Sequence, residues 1–375
     1  MGRGAMVNQQ CLKLTAYFGE RQRAVGKAEG FLADAMLDLF GSRDIATSVM
    51  LRGITSYGRS HDLRSDQSLS LSEDPPVTIA AVDVEPKIRA LVDDVTAMTD
   101  RGLLTLERAR LITRDDGIED LGDVESRATE SAKLTVYVGR QERVRGRPPH
   151  NVVCELLYRH GFAGASVLLG VDGTAHGERY RARFFSRNVN VPLMIIAIGT
   201  PARVSAAVAE LTEVLPNRVL TIERVRICKR DGELFARPPE LPTTDDHGRN
   251  LWQKLMVHTA EATLHDGLPI HRAVVHRLLQ SETARGATAL RGIWGFHGNH
   301  KPHGDKLFAL TRRVPVTTIV VDTPESIARS FDIIDELTAR HGLVTSEMVP
   351  AAMSLSEAEP GSRPSSETPL AEYDY

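Results

Sequence analysis

The sequence predicts an α+β protein built from three tandem copies of one strand-helix-strand-strand-helix-strand unit, each about a hundred residues long. Two observations carry that expectation. A set of landmark residues recurs three times in the same order, and the same amphipathic helix recurs at the same place in each copy.

Each copy opens on a strand: Lys13-Leu14-Thr15-Ala16-Tyr17, Lys133-Leu134-Thr135-Val136-Tyr137 and Lys254-Leu255-Met256-Val257-His258. Alternation sets Leu12, Leu14, Ala16 and Phe18 toward the helices and Lys13, Thr15 and Tyr17 toward the opposite face. A turn glycine follows at Gly26, Gly146 and Gly267. The first helix is marked by Leu32, Met36, Leu39 and Phe40, by Val152, Val153, Leu156 and Leu157, and by Val274, Val275, Leu278 and Leu279. An apolar strand ending in glycine comes next, at Val49 to Gly53, Val167 to Gly170 and Leu290 to Gly292. Long loops over 56–75, 173–191 and 295–314 lead to strands opened by Pro76, Pro192 and Pro315.

The second helix is the strictest test of the repeat. Ile88, Val92, Val95 and Met98 match Val204, Val208, Leu211 and Val214, and then Ile327, Phe331, Ile334 and Leu337. Steps of four, three and three trace one face of a helix. Thr200-Pro201 and Thr323-Pro324 read as a capping threonine followed by proline at the first helical position. Each copy closes on a strand ending in glutamate, at Glu107, Glu223 and Glu347.

Strand-helix-strand twice over is the ferredoxin-like arrangement, with both helices on one face of the sheet. The opposite face is too apolar to stay in water, so the three sheets are expected to pack together around a pseudo-threefold axis. The chain is then a monomeric intramolecular pseudo-trimer. The expected boundaries are a flexible 1–10, domains at 11–114, 132–230 and 251–353, an acidic linker at 115–131, a second linker at 231–250, and a disordered tail at 354–375.

Charged residues are 25% and hydrophobic ones 42%, with a formal charge of −3, so any anion site must be local and nucleic acid is not an expected partner. Cys11, Cys154 and Cys228 fall in no metal or disulfide pattern and read as small buried hydrophobes. No apolar run approaches the ~20 residues of a membrane span, and the N-terminus lacks a signal-peptide pattern. A cytoplasmic protein without membrane insertion is expected.

Arg52-Gly53-Ile54-Thr55-Ser56-Tyr57-Gly58 and Leu71-Ser72-Glu73-Asp74-Pro75-Pro76-Val77 resemble the bacterial "domain of unknown function 190" family, itself similar to the PII nitrogen-regulatory proteins. Copy two resembles it through Gly139 to Gly146 and Ala165 to Gly170, and copy three through Arg291-Gly292-Ile293-Trp294-Gly295-Phe296. The resemblance implies a PII-like trimeric assembly with clefts between units. In PII proteins those clefts hold adenine nucleotides, and the long loop reports occupancy to a partner. Members are often encoded beside fluoride-channel genes, which implies ion homeostasis as a context and a transporter or channel as a partner. No enzymatic activity is implied, and no catalytic motif or paired carboxylate recurs.

The candidate anion ligands are basic residues. Arg52 and Arg291 stand beside the second-strand glycines, and Arg179, Arg181 and Arg183 crowd the second long loop. The third loop is also basic, while the first, with Arg59 and Arg64 against Asp62, Asp66, Glu73 and Asp74, reads as acidic. Arg101, Arg218 and Arg340 flank the turn before the last strand, either to meet a phosphate or to neutralise a helix end. Lys13, Lys133 and Lys254 read as cross-strand partners of Glu107, Glu223 and Glu347, or as anion ligands if they line the clefts. His297, His300 and His303 are a weak metal set in a glycine-rich loop, lacking a carboxylate or cysteine at ligand spacing. The expected function is a non-enzymatic sensor that requires no cofactor and binds a small anion, adenine nucleotide foremost. A metal- or ion-homeostasis protein and a ligand-free interaction module are the alternatives. Because His258 replaces the Tyr17/Tyr137 position, the three clefts are expected to be inequivalent.

Overall fold

The computed structural model describes residues 10–58, 63–65, 74–112, 130–181, 191–215, 219–298, 300–304, 314–355 and 365–373. Repeat 1 contains β1 (Gln10–Gly19), α1 (Leu32–Ser42), β2 (Thr47–Tyr57), β3 (Arg64–Ser65), β4 (Pro76–Val84), α2 (Glu85–Met98) and β5 (Leu103–Ile112). Repeat 2 contains β6 (Glu130–Gly139), α3 (Pro149–Arg159), β7 (Gly164–Ala175), β8 (Glu178–Arg181), β9 (Pro192–Gly199), α4 (Pro201–Val214), β10 (Val219–Arg230) and β11 (Glu233–Leu234). Repeat 3 contains β12 (Trp252–Ala260), β13 (Leu264–His265), β14 (Leu268–Pro269), α5 (Ile270–Ser281), β15 (Ala287–His297), β16 (His303–Gly304), β17 (Pro315–Asp322), α6 (Pro324–Leu337), β18 (Leu343–Val349) and β19 (Ala351–Ser354).

The four main strands of each repeat pair antiparallel in one order: β5-β1-β4-β2, β10-β6-β9-β7 and β18-β12-β17-β15. The helices cover one face. Leu12, Leu14, Ala16 and Phe18 pack with Leu32, Met36, Phe40, Ile88, Val92 and Val95, and repeats 2 and 3 build matching cores. Thr200 and Thr323 cap α4 and α6 by accepting from the backbone N–H of Arg203 and Ser326, each with proline at the first helical position.

The opposite faces meet in one shared core, with Cys11, Val82 and Leu111 of repeat 1 packed with Tyr137 and Met194 of repeat 2 and Met256 and Val321 of repeat 3. Two sets of inter-repeat pairings close around it. The first half of β2 pairs with the second half of β7, the first half of β7 with the second half of β15, and the first half of β15 with the second half of β2. At the other sheet edge, β5 pairs with β10, β10 with β18, and β19 returns to β5. Both edges of every four-stranded sheet are thus occupied, which removes the exposed edges that invite aggregation.

This pairing corrects the expected end of the second strands. They run on through their glycines, and each shifts register where it changes partner. A Cβ on Gly53 or Gly292 would lie 2.8 Å from the ring of Pro76 or Pro315, and one on Gly170 would lie 2.2 Å from the Pro192 carbonyl. Two of the repeat's landmarks, glycine and proline, are therefore one contact.

The tail expected to be disordered is also corrected in part, because residues 365–373 dock on repeat 1. Leu370 and Leu355 are buried in its helix-side core. Arg89 donates to the carbonyls of Ser366 and Thr368, and Arg108 to those of Leu370 and Ala371. The segment is neither helix nor strand. Its anchoring through carbonyls and two apolar side chains leaves no periodic signature. The acidic linker at 115–131 lies almost wholly outside the described residues.

Candidate ligand clefts between the repeats

Lys13, Lys133 and Lys254 stand opposite Glu107, Glu223 and Glu347 in their own sheets, as cross-strand reading expected. They do more than that. Lys13 reaches Glu107 at 2.8 Å and Glu223 at 2.5 Å; Lys133 reaches Glu223 and, at 2.6 Å, Glu347; Lys254 reaches Glu347 at 2.9 Å and Glu107. Each lysine joins its own glutamate to that of the next repeat, so six charges alternate around a closed ring. All six side chains are at most 5% exposed. These lysines are satisfied on the axis and do not face a cleft, which corrects their reading as anion ligands.

The ring has a pH signature. Burial alone would push the Glu107 and Glu347 carboxyls up, but the neighbouring ammoniums, Lys13 first at Glu107 and Lys133 first at Glu347, hold both below the usual carboxylate range. A depressed folded pKa stabilises fully above the unfolded-state value of about 4.3, and that contribution is lost as pH falls through the folded value. The ring's contribution, read as the gap in urea midpoint between the native sequence and Glu107→Gln, is therefore expected to hold from neutral pH down to about 4.3 and to shrink below it. A gap unchanged through that fall in pH would contradict the ring.

Where the end of one repeat's first strand meets the start of its neighbour's second strand, a cleft opens, and there are three such seams. The seam between repeats 1 and 3 holds a cavity of about 670 Å³. Tyr17, Phe18, Tyr57 and Trp252 line it together with Arg21, Arg23, Arg64, Arg101 and Arg285, and Asp74, 3.8 Å from Arg64, is the one carboxylate among the described lining residues. Several of these groups are positioned. The Arg21 backbone N–H donates to Asp74 at 2.6 Å, Tyr57 Oη donates to the Ala284 carbonyl at 3.1 Å, and Gln22 donates to the Arg101 carbonyl at 2.8 Å. The Arg285 guanidinium lies 5.4 Å from the Trp252 ring centroid and 3.6 Å from Asp322. A Cβ on Gly102, at φ +115°, would lie 2.5 Å from the Tyr17 carbonyl, so only glycine lets this turn close beside the cavity.

The other seams differ. Between repeats 1 and 2 the cavity is about 220 Å³, with Glu142, Glu178, His176 and Tyr180 among its walls and no arginine or lysine among the described ones. Between repeats 2 and 3 it is about 60 Å³, walled by Phe296, Ile196 and Leu343 with His258, His297 and His303. Strand pairing makes Ala46 and Ala163 the counterparts of Arg285, so this cation is particular to the large seam. The clefts are inequivalent in size and charge, as His258 in place of tyrosine had suggested.

Of the sequence candidates for an anion site, the large cavity contains Arg101. Arg179 is held by Asp34, Asp38 and Asp172, and Arg181 by Asp34 and Asp172, so the second basic loop is complemented inside the molecule by α1. Arg52 pairs with Glu20 and Arg291 with Glu261, in equivalent places. Arg340 is exposed beside the turn before β18, outside the cavities just described. Arg183 and Arg218 lie outside the described residues. Four cations were missed: Arg21, Arg23 and Arg285 flank strand ends rather than loops, and Arg64 comes from the loop that read as acidic. The rule that would have found them is geometric: the end of each first strand meets the start of a neighbour's second strand.

Fold and seams together define a single-chain, three-repeat α/β protein with one large cationic inter-repeat cleft. The family model for the domain of unknown function 190, described as an uncharacterised ACR, matches residues 11–111, 131–227 and 252–351, and the chain belongs to this family three times over. It is similar to a UPF0166 protein of Aquifex aeolicus, 30% identical over 96 residues that make up 25% of this chain and 88% of the relative. It is also similar to a UPF0166 protein of Methanocaldococcus jannaschii, 29% identical over 91 residues, 24% of this chain and 82% of the relative. Each relative thus has about the length of one repeat. No helix among the described residues is long and apolar enough to cross a membrane.

Proposed function

We propose that this chain is a PII-like signalling protein: three ferredoxin-like units closed as a pseudo-trimer, non-enzymatic and without a required cofactor. It binds one small anionic ligand, adenine nucleotide foremost, in the seam between repeats 1 and 3. The strand order within each repeat and the two cyclic sets of inter-repeat pairings support the architecture. The observation that carries the ligand is the 670 Å³ cavity, whose described lining brings five arginines and four aromatic residues together with a single carboxylate. Arginine matches phosphate in charge and in planar, bidentate geometry, while tyrosine and tryptophan faces suit a purine. Occupancy reaches a regulated partner, a membrane transporter or channel being the candidate, through the segment between β3 and β4, both of which border the cavity.

The test is a thermal-shift panel of adenine nucleotides against the tag-free chain. Ligand present at a hundred times its Kd stabilises by about 2.7 kcal/mol, a readily measured rise in Tm. One site per chain is expected by titration calorimetry. Arg285→Ala and Arg101→Ala are each expected to weaken binding by roughly tenfold to a hundredfold, since a hydrogen bond to a charged group contributes about 1.5–3 kcal/mol. Absence of any shift at millimolar nucleotide, or binding indifferent to both substitutions, would reject the proposal.

A further inference from the structure

We propose that the small seam between repeats 2 and 3 is a binding site for a divalent transition metal, built on His258 and His297 with His303 at its rim. The site is separate from the proposed nucleotide seam and stands or falls without it. Three histidines, His258 from β12 and His297 and His303 from the β15–β16 hairpin, line one cavity of about 60 Å³. That volume is far too small for a nucleotide and suits an ion with a water, whose share of liquid volume is about 30 Å³.

His258 is the centre of the argument. It is 8% exposed, its Nδ1 lies 3.1 Å from Thr317 Oγ1, and its Nε2 is buried without a hydrogen-bond partner. A buried ring nitrogen costs free energy unless something meets it. The other two rings are held in the manner of metal ligands. His297 Nε2 lies 2.6 Å from Asp231 Oδ1, and His303 Nδ1 lies 3.0 Å from the Lys301 carbonyl. Metal-bound histidines usually donate their second ring N–H to such a carboxylate or carbonyl, which orients the ring and raises its basicity. Imidazole without thiolate favours zinc, cobalt, nickel or copper over calcium or magnesium.

Among the described residues, Glu107, Glu223 and Glu347 bring three potential ligand atoms within 4.8 Å of one another, but three lysines already neutralise that trio. The histidine set is more open, so the metal must draw its ligands together. His303 lies on the short hairpin formed by β15 and β16.

The test uses the tag-free full chain, stripped with a chelator and then titrated with Zn²⁺ by calorimetry and with Co²⁺ by visible absorption. One ion per chain and a ligand-field band from imidazole-bound Co²⁺ are expected. His258→Tyr installs the residue that repeats 1 and 2 carry at this position, so it is expected to fold. It and the more exposed His297→Ala should each weaken binding at least about tenfold. His300→Ala, which alters the exposed histidine outside the cavity, should leave affinity unchanged. No stoichiometric binding at micromolar metal, retention of full affinity in folded His258→Tyr, or loss of binding in His300→Ala would overturn the assignment.

Discussion

Lys133→Met is expected to lower the unfolding free energy by about 3–5 kcal/mol, the usual cost of removing one partner from a buried ion pair. Lys133 is 2% exposed and bridges Glu223 and Glu347, which belong to different repeats. Methionine fills the volume but leaves two carboxylates facing each other with half their neutralisation gone. Each must then take up a proton or stay charged in a dry core, and both cost free energy. The surface pair Arg147–Glu155, with both side chains 50% exposed, makes the control: breaking it should cost less than about 1 kcal/mol. Urea denaturation of the two variants measures the contrast. Equal, small effects would mean that the ring is not closed.

Leu370→Ala is expected to cost about 2–3 kcal/mol, because a fully buried leucine loses both its transfer free energy and its packing. Leu370 is 3% exposed against the helix-side core of repeat 1. Arg89 and Arg108 fix the carbonyls around it. A tail with no fixed place would give no change in urea midpoint. The two outcomes are well separated, and the substitution touches neither the ring nor the large cleft.

These two residues also show what the sequence makes legible. Lys133 was readable because it obeys a local rule: a strand lysine faces a strand glutamate in the neighbouring strand, and the same pair recurs in each repeat. Its second partner was not readable, since Glu347 lies in another repeat and only closure brings it near. The amphipathic helices were plain for the same reason that Lys133 was: Ile88, Val92, Val95 and Met98 report one helix and one sheet. Leu370 carried no period and so looked unstructured. The large cleft was misread in the same way. Arg179 and Arg181 drew attention as a basic run, yet α1 of repeat 1 supplies their carboxylates. Arg285 belongs to no pattern within its own repeat, and it borders the cleft because the start of β15 pairs with the end of β2 of repeat 1. Local pattern gives elements and their faces; the seams depend on which strand halves pair, which no single repeat encodes.

The account rests on repeat 3 closing back onto repeat 1, and the Lys254–Glu107 contact is where that closure can be measured. A double-mutant cycle with Lys254→Met and Glu107→Gln, read by urea denaturation, is expected to return a coupling energy above about 1 kcal/mol, since paired charges within one network do not act independently. Additive effects, with coupling inside the usual scatter of about 0.3–0.5 kcal/mol, would contradict closure and remove the large cationic seam with it.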